Sequence, residues 1–256
     1  MNDLISIPAG EYSIGLDRET IESFSAGLAG SSVRKEFLYG SFPRQTVRLD
    51  SYCMGRSPVT GDEFARFVAD TGFVTEAERD GWGWVWEGSW LRRDGASWRS
   101  PRGAAGDGID AGELPVMQVS WNDAAEYCRW LSEATRSAVR LPREAEWEVF
   151  AERAGAGRAG GEGAPLRGEF LDALRALSRT GRGPGIGLVW EWTDDWYDRY
   201  PGGPENRDFG TIYKVLRGGS LSSHPVQRIR EYRLRKCPTA RSPYYGFRIA
   251  RSDGHA

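Results

Sequence analysis

Glycine and tryptophan together constrain this chain more than any other feature. Thirty-three glycines interrupt regular structure at short intervals, and eleven tryptophans supply large rings to pack between them. Glycine at about twice its usual frequency implies many turns and much irregular chain. Aromatic side chains then have to build the core, because each buries a large area. The expectation is a loop-rich domain held by ring packing, not a helical bundle. The 256 residues suffice for a substantial core.

Charge excludes some partners. A net charge of -2 gives no electrostatic reason to expect nucleic acid or an anionic membrane. No apolar run approaches the ~18 residues of a membrane span. The opening Met1-Asn2-Asp3-Leu4-Ile5-Ser6-Ile7-Pro8 has neither a basic nor an apolar leader segment. Cys53, Cys128 and Cys237 are odd in number and far apart, which suits free thiols in a reducing cytoplasm.

Local patterns place the elements. Residues 4–14 hold a Pro-Ala-Gly turn and read as a short strand pair, residues 16–44 as an irregular surface insertion, and residues 46–53 as a half-buried strand. Thr60 followed by Glu63 has capping-box spacing and opens a helix to Thr71, with Gly72 as its stop. Ser120 with Asp123 opens a second helix with Ala124, Ala125, Cys128 and Leu131 inward. Leu141-Pro142-Arg143-Glu144 opens a third, with acids in its first turn. Residues 154–187, rich in Gly, Ala and Arg, read as a flexible stretch with a helical piece at Glu169–Leu177, and 252–256 as a tail. Residues 188–197 read as strand and tight turn, and 213–221 and 245–251 as two more strands.

Seven blocks then stand in a fixed order. They are Val47–Cys53 with Pro58-Val59-Thr60-x-x-Glu63-Phe64; Leu114-Pro115-Val116-x-x-Val119-Ser120-Trp121-x-Asp123-Ala124; Cys128-x-Trp130-Leu131; and Leu141-Pro142-x-Glu144-Ala145-Glu146-Trp147. After them come Val189-Trp190-Glu191-Trp192-Thr193-x-Asp195-Trp196, Leu216-Arg217-Gly218-Gly219-Ser220 and Gly246-Phe247-Arg248-Ile249-Ala250. The set resembles the formylglycine-generating-enzyme (sulfatase-modifying factor) family over roughly residues 4–251. Gly81-Trp82-x-Trp84-Val85-Trp86-Glu87-Gly88 and Gly95-Ala96-Ser97-Trp98-Arg99-x-Pro101 resemble its oxidase branch. The resemblance implies one α+β domain, a variant of the C-type-lectin-like fold with little regular secondary structure.

The departures bear on chemistry. In the family's copper oxidases a cysteine lies three residues past the Gly-Gly-Ser turn and another five further on. Here those positions hold Ser223 and Arg228. A hydroxyl does not replace thiolate as a soft ligand for Cu(I), and a guanidinium binds no metal cation. The resemblance therefore does not extend to copper-thiolate oxidation of a peptide cysteine. Nor can His224 and His255, the only two histidines, form the three-histidine iron site of the family's sulfoxide synthases. No copper or iron site is recognisable. Family members often carry structural calcium near the Trp-Glu-Trp block, which leaves Glu191 as a calcium ligand here, although Leu188 replaces the expected Asn. Cys237-Pro238-Thr239-Ala240-Arg241 mimics the family's Cys-x-Pro-x-Arg substrate motif with its Pro one place early, and reads as a loop.

Candidate site residues each admit two readings. Ser223, His224, Arg228 and Tyr232 lie where the resemblance puts the active loop, as proton-transfer or substrate-orienting groups; the bland alternative is a capped turn with a surface histidine. Arg217 and Arg230 belong to a locally basic quarter (with Arg228, Arg233, Arg235 and Arg241) that suits a carboxylate-bearing ligand or, more simply, internal salt bridges to Asp194, Asp195, Asp198 and Glu231. Trp82, Trp84, Trp86, Trp90 and Trp98 read as core more readily than as a groove, with Trp90 and Trp98 the expected exposed pair. Two functions follow: an oxygen-dependent oxidoreductase acting on a small molecule or peptide without the copper-thiolate site, or a non-catalytic ligand-binding protein on the same fold.

Overall fold

Regular structure comes in short pieces, each cut by a turn. The computed structural model describes residues 3–28, 31, 33–103, 112–155 and 185–252. Most of the 154–187 stretch, with its expected helical piece at Glu169–Leu177, lies outside the described residues, as does most of the tail.

The strands are β1 (Leu4–Ile7), β2 (Gly10–Ile14), β3 (Gln45–Leu49), β4 (Tyr52–Gly55), β5 (Trp82–Trp86), β6 (Trp90–Asp94), β7 (Val139–Arg140), β8 (Trp190–Trp196), β9 (Lys214–Arg217), β10 (Leu234–Lys236), β11 (Tyr245–Phe247) and β12 (Ala250–Ser252). One four-stranded sheet runs β1-β4-β12-β7 and a second β10-β9-β8-β11, while β2-β3 and β5-β6 form separate two-stranded sheets. The β8–β11 pair is parallel and the others are antiparallel.

Four sequence expectations are redrawn by the structure. Residues 4–14 do form two strands, but β1 pairs with β4 and β2 with β3, not with each other. The strand expected over 46–53 divides at Asp50-Ser51 between two sheets, and that over 245–251 divides at Arg248-Ile249 in the same way. Hydropathy does not register the division, because both halves are strand and the change of sheet is made by long-range pairing. The expected irregular insertion at 16–44 contains helix α1 (Arg18–Ala26), capped by Asp17, and a 3-10 helix over Lys35–Ser41. Leu16, Ile21 and Leu38 from this segment are fully buried in the main core.

The caps behave as their spacing predicts. Helix α2 (Gly61–Thr71) begins with the reciprocal Thr60–Glu63 box and ends at Gly72 in the left-handed conformation, φ 66°. The short α3 (Glu76–Asp80) carries the same box from Thr75 and Glu78. Helix α4 (Trp121–Thr135) carries it from Ser120 and Asp123, and α5 (Glu144–Arg153) starts after Pro142-Arg143.

Aromatic rings fill the centre. Phe64 of α2 meets Trp98, Tyr127 and Phe247 at centroid distances of 5.2, 5.9 and 6.4 Å. Edge-to-face and stacked contacts of this kind add about 0.5–1.5 kcal/mol each to the area they bury. Behind this core, charges are buried in pairs. Arg248 grips Glu191 through two contacts of 2.5 and 2.7 Å, both residues fully buried. Arg217 lies between Glu144 (3.2 Å) and Glu148, and Arg233 holds Glu144 from the other side at 2.5 and 2.8 Å. These pairs tie α5 to the end of β9 and to the segment before β10, and β8 to the crossover between β11 and β12.

Candidate functional site

The loop from Arg217 to Tyr232 starts where β9 ends. Gly218 and Gly219 have φ of 96° and 73°, values that L side chains avoid. A Cβ at Gly218 would stand 2.8 Å from the Trp147 ring, and one at Gly219 2.7 Å from Arg228 Cγ. The two glycines let the chain turn flat against α5 on one side and against its own return on the other.

Ser220 and Ser223 close that turn. The Ser220 backbone N–H donates to Ser223 Oγ at 3.0 Å, and the two hydroxyls share a bond of 3.1 Å. Ser223 is only 6 % exposed. Its hydroxyl is thus held inside the turn. His224 follows as the N-cap of a 3-10 helix over Pro225–Arg228, where its Nδ1 accepts from Val226 N–H at 3.2 Å. Nδ1 is committed as an acceptor, and the side chain does not form a pair with Ser223 Oγ. Arg228 lies across Gly219 and approaches Gly187. Tyr232 is buried beside Trp190 at 5.9 Å, and burial raises its phenol above its ordinary value. The four residues share one loop without forming a proton-transfer chain.

The donor set here does not fit copper. A buried hydroxyl engaged with Ser220 and a guanidinium offer no soft ligand. Glu191 does not fit calcium either. Arg248 occupies both its oxygens, and Trp147 Nε1 donates to one of them at 2.7 Å. Two donors thus share Oε2, a third takes Oε1, and the buried guanidinium already balances the charge, an arrangement that offers little to a cation wanting six or more oxygens. The calcium expectation at Glu191 finds no support in it. Among the described residues no three His, Cys, Asp or Glu side chains gather as a metal-binding group.

The arginine candidates separate. Arg217 is fully buried between Glu144 and Glu148 and donates to the Glu231 carbonyl at 2.9 Å, so it has no surface to offer a ligand. Arg230 pairs with Glu152 at 3.1 Å and Glu231 at 3.0 Å. Arg235 pairs with Asp208 and Arg241 with Asp80. Internal pairing is therefore the rule for these four; of the expected acids Glu231 takes part, with Arg230, while Glu144, Glu148, Glu152, Asp208 and Asp80 stand in for Asp194, Asp195 and Asp198.

A cleft opens next to the loop. Tyr244 hydrogen-bonds the Ser222 side chain and meets the Trp90 ring at 5.6 Å, which joins the loop to the β5–β6 hairpin. The cleft, of about 320 Å³, is lined by Trp84, Trp90, Lys236, Arg241, Ser242 and Tyr245. Strand alternation and register put Trp82, Trp84, Trp86, Trp90 and Arg92 on one face of the hairpin. Arg241 lies 4.2 Å over Trp82, and Arg92 sits 4.2 Å over the same ring. Buried Gln118 fixes the walls. Its side chain donates to Trp84 O at 2.7 Å and Pro101 O at 2.8 Å, and its N–H donates to Ser242 O at 3.0 Å. Its φ of 57° is an uncommon conformation that the two-sided bonding holds in place.

The Trp90 and Trp98 expectation divides accordingly. Trp90 is 44 % exposed and lines the cleft, whereas Trp98 is 5 % exposed and packs on Phe64 in the core. Lys236 and Gln118 were not among the sequence candidates. A lysine in a basic segment carries no signal of its own, and a single Gln before Ser120 reads as a helix approach. Both matter only through contacts across the fold.

Comparison with known proteins bears on this geometry. A model of the sulfatase-modifying factor enzyme 1-like domain matches residues 1–167 and 181–253. The formylglycine-generating enzyme of Streptomyces coelicolor is 32% identical, over 96% of this chain and 88% of that protein. A mouse protein named inactive C-alpha-formylglycine-generating enzyme 2 is 33% identical, over 84% of this chain and 80% of its own length. The structure of PvdO from Pseudomonas aeruginosa shares the fold, with a TM-score of 0.66 and 22% identity over 97% of this chain and 94% of that one. CarF shares it at a TM-score of 0.58 and 17% identity over 99% of each chain. The ordered motifs, the Gly-Gly-Ser turn and these matches agree that this chain belongs to the sulfatase-modifying factor enzyme 1-like, formylglycine-generating-enzyme domain family.

Proposed function

We propose that this family member is a ligand-binding or accessory protein that no longer performs copper-thiolate oxidation. The observation that carries the reading is Ser223. At the position where the resemblance expects a thiolate, its hydroxyl is buried and spent on Ser220. His224 and Tyr232 are likewise engaged or buried, while the aromatic cleft next to them stays open. The 33% identity to a relative named inactive supports the same direction. The binding surface then comprises Trp90 and the cationic cleft wall, and the ligand is a small molecule or a peptide.

A second reading keeps catalysis. The oxidase-type middle segment and the 32% identity to a relative named formylglycine-generating enzyme favour an oxygen-dependent oxidoreductase whose substrate is itself easily oxidised. Oxygen uptake separates the two. Purified protein is incubated with Cu(I) and a peptide containing Cys-x-Pro-x-Arg in an oxygen electrode, and the peptide is examined for loss of its thiol. The expected result is uptake equal to the copper-only background. Protein-dependent uptake matched by thiol loss would overturn the binding reading. Uptake with another substrate and no added copper would establish the second one.

A further inference from the structure

The wall of the cleft carries two cationic side chains, Lys236 and Arg241, in different surroundings. Lys236, at the end of β10, has no carboxylate within ion-pairing distance among the described residues, and burial followed by neighbouring Arg235 lowers its affinity for its proton. Arg241 is buried, and although its Nη2 binds Asp80 at 2.5 Å and Trp82 O at 3.1 Å, its Nε–H has no partner. Among the described residues no acidic side chain lines the cleft. The Arg241 Nε–H is closed off from the cleft, whereas the half-buried Lys236 ammonium gains a charge-assisted hydrogen bond when an anionic acceptor arrives. The rest of the lining is Trp84, Trp90, Tyr245, Ala240 and Ser242, and the Ser242 hydroxyl already accepts from Tyr244 N–H at 3.1 Å.

Resting on the ligand-binding reading above, we propose that this cleft binds an aromatic carboxylate, its acid on Lys236 Nζ and its ring against Trp84, Trp90 and Tyr245. A carboxylate on an ammonium makes a charge-assisted hydrogen bond, roughly twice as strong as a neutral one. A flat ring suits indole faces that are exposed or half-exposed. The cleft of about 320 Å³ is near the lower end of the roughly 300–1,000 Å³ of small-molecule sites, so the occupant is one ring system with a short acid-bearing arm. Phosphates are less suited, because Asp80 already neutralises the guanidinium end of Arg241 and leaves one full positive charge.

The test is titration of the full chain followed by tryptophan fluorescence and calorimetry. The probes are indole-3-acetate, 3-methylindole (the same ring without the acid) and the tripeptide Gly-Gly-Trp. Saturable binding of indole-3-acetate is expected. Loss of the acid, or Lys236→Met, weakens it about ten- to a hundredfold, the effect of one charge-assisted hydrogen bond. Lys236→Arg retains most of the affinity and guards against a folding defect, and Trp90→Ala removes the ring's contribution. If Gly-Gly-Trp binds more tightly, the acid is a peptide C-terminus; if indole-3-acetate does, it is a free small acid. Equal affinity for 3-methylindole, or an unchanged Lys236→Met, overturns the carboxylate assignment. So does failure of all three probes to saturate. Neither result touches the oxygen-uptake experiment, on which the broader reading stands or falls separately.

Discussion

The basic C-terminal quarter contains two kinds of cation. Behind the sheets, Arg217, Arg233 and Arg248 are buried against Glu144, Glu148 and Glu191, and their contacts stay within the protein. At the cleft, Lys236 is half-buried and no acid among the described residues pairs with it. In sequence the two kinds are interleaved, with Arg233 three residues before Lys236. A charge whose partner is built in is part of the architecture. A charge left without one, in a cleft, is available to something that arrives from solution.

The comparison breaks first at Arg248. Arg248→Met leaves the Glu191 carboxylate buried beside Trp147 with its counter-ion gone. Removing one partner of such a pair costs about 3–5 kcal/mol. Urea denaturation should show that loss; a change under 1 kcal/mol would mean that the pair is not buried as described.

Glu148 gives a smaller, pH-dependent effect. Burial, with Glu231 and Glu144 nearby, outweighs Arg217 and pushes its carboxyl up from 4.5 to about 7. The folded state then holds a proton that the unfolded state releases between those values. The stabilisation is fully present below pH 4.5 and is lost as pH rises through about 7. Its size is on the order of 1–3 kcal/mol. Stability measured from pH 5 to 7.5 should fall in the wild type relative to Glu148→Gln, and parallel curves would refute the assignment.

Least affected is the fold without Lys236. Lys236→Met removes a charge that no other residue pairs with, so stability should stay within about 0.5 kcal/mol of wild type. Thermal melts without ligand test this. A loss approaching that of Arg248→Met would show Lys236 to be structural and erase the contrast.

Much of the fold was legible from local chemistry. The Thr60–Glu63 and Ser120–Asp123 boxes and the Gly72 stop act within one turn of chain, and the helices they bound fall where expected. The sheet pairing was not legible, because β4 and β12, which pair directly, are separated by almost the whole described chain. The site divides in the same way. That Ser223 and Arg228 cannot serve as thiolates is a property of the residues themselves. That Ser223 is spent on Ser220, Trp98 is core and Trp90 is not depends on contacts.

The sequence alone determined the family resemblance, the helix ends and the loss of the thiol pair, since each rests on residue identity and short spacing. Tertiary structure alone decided which cations are paired. Arg217 reaches Glu144 across 73 residues, and Arg233 reaches the same Glu144 across 89. An arginine carries the same charge and the same five donors wherever it stands. Whether it holds the protein together or waits for a ligand depends on which acids the fold brings beside it, and that is a long-range outcome of packing.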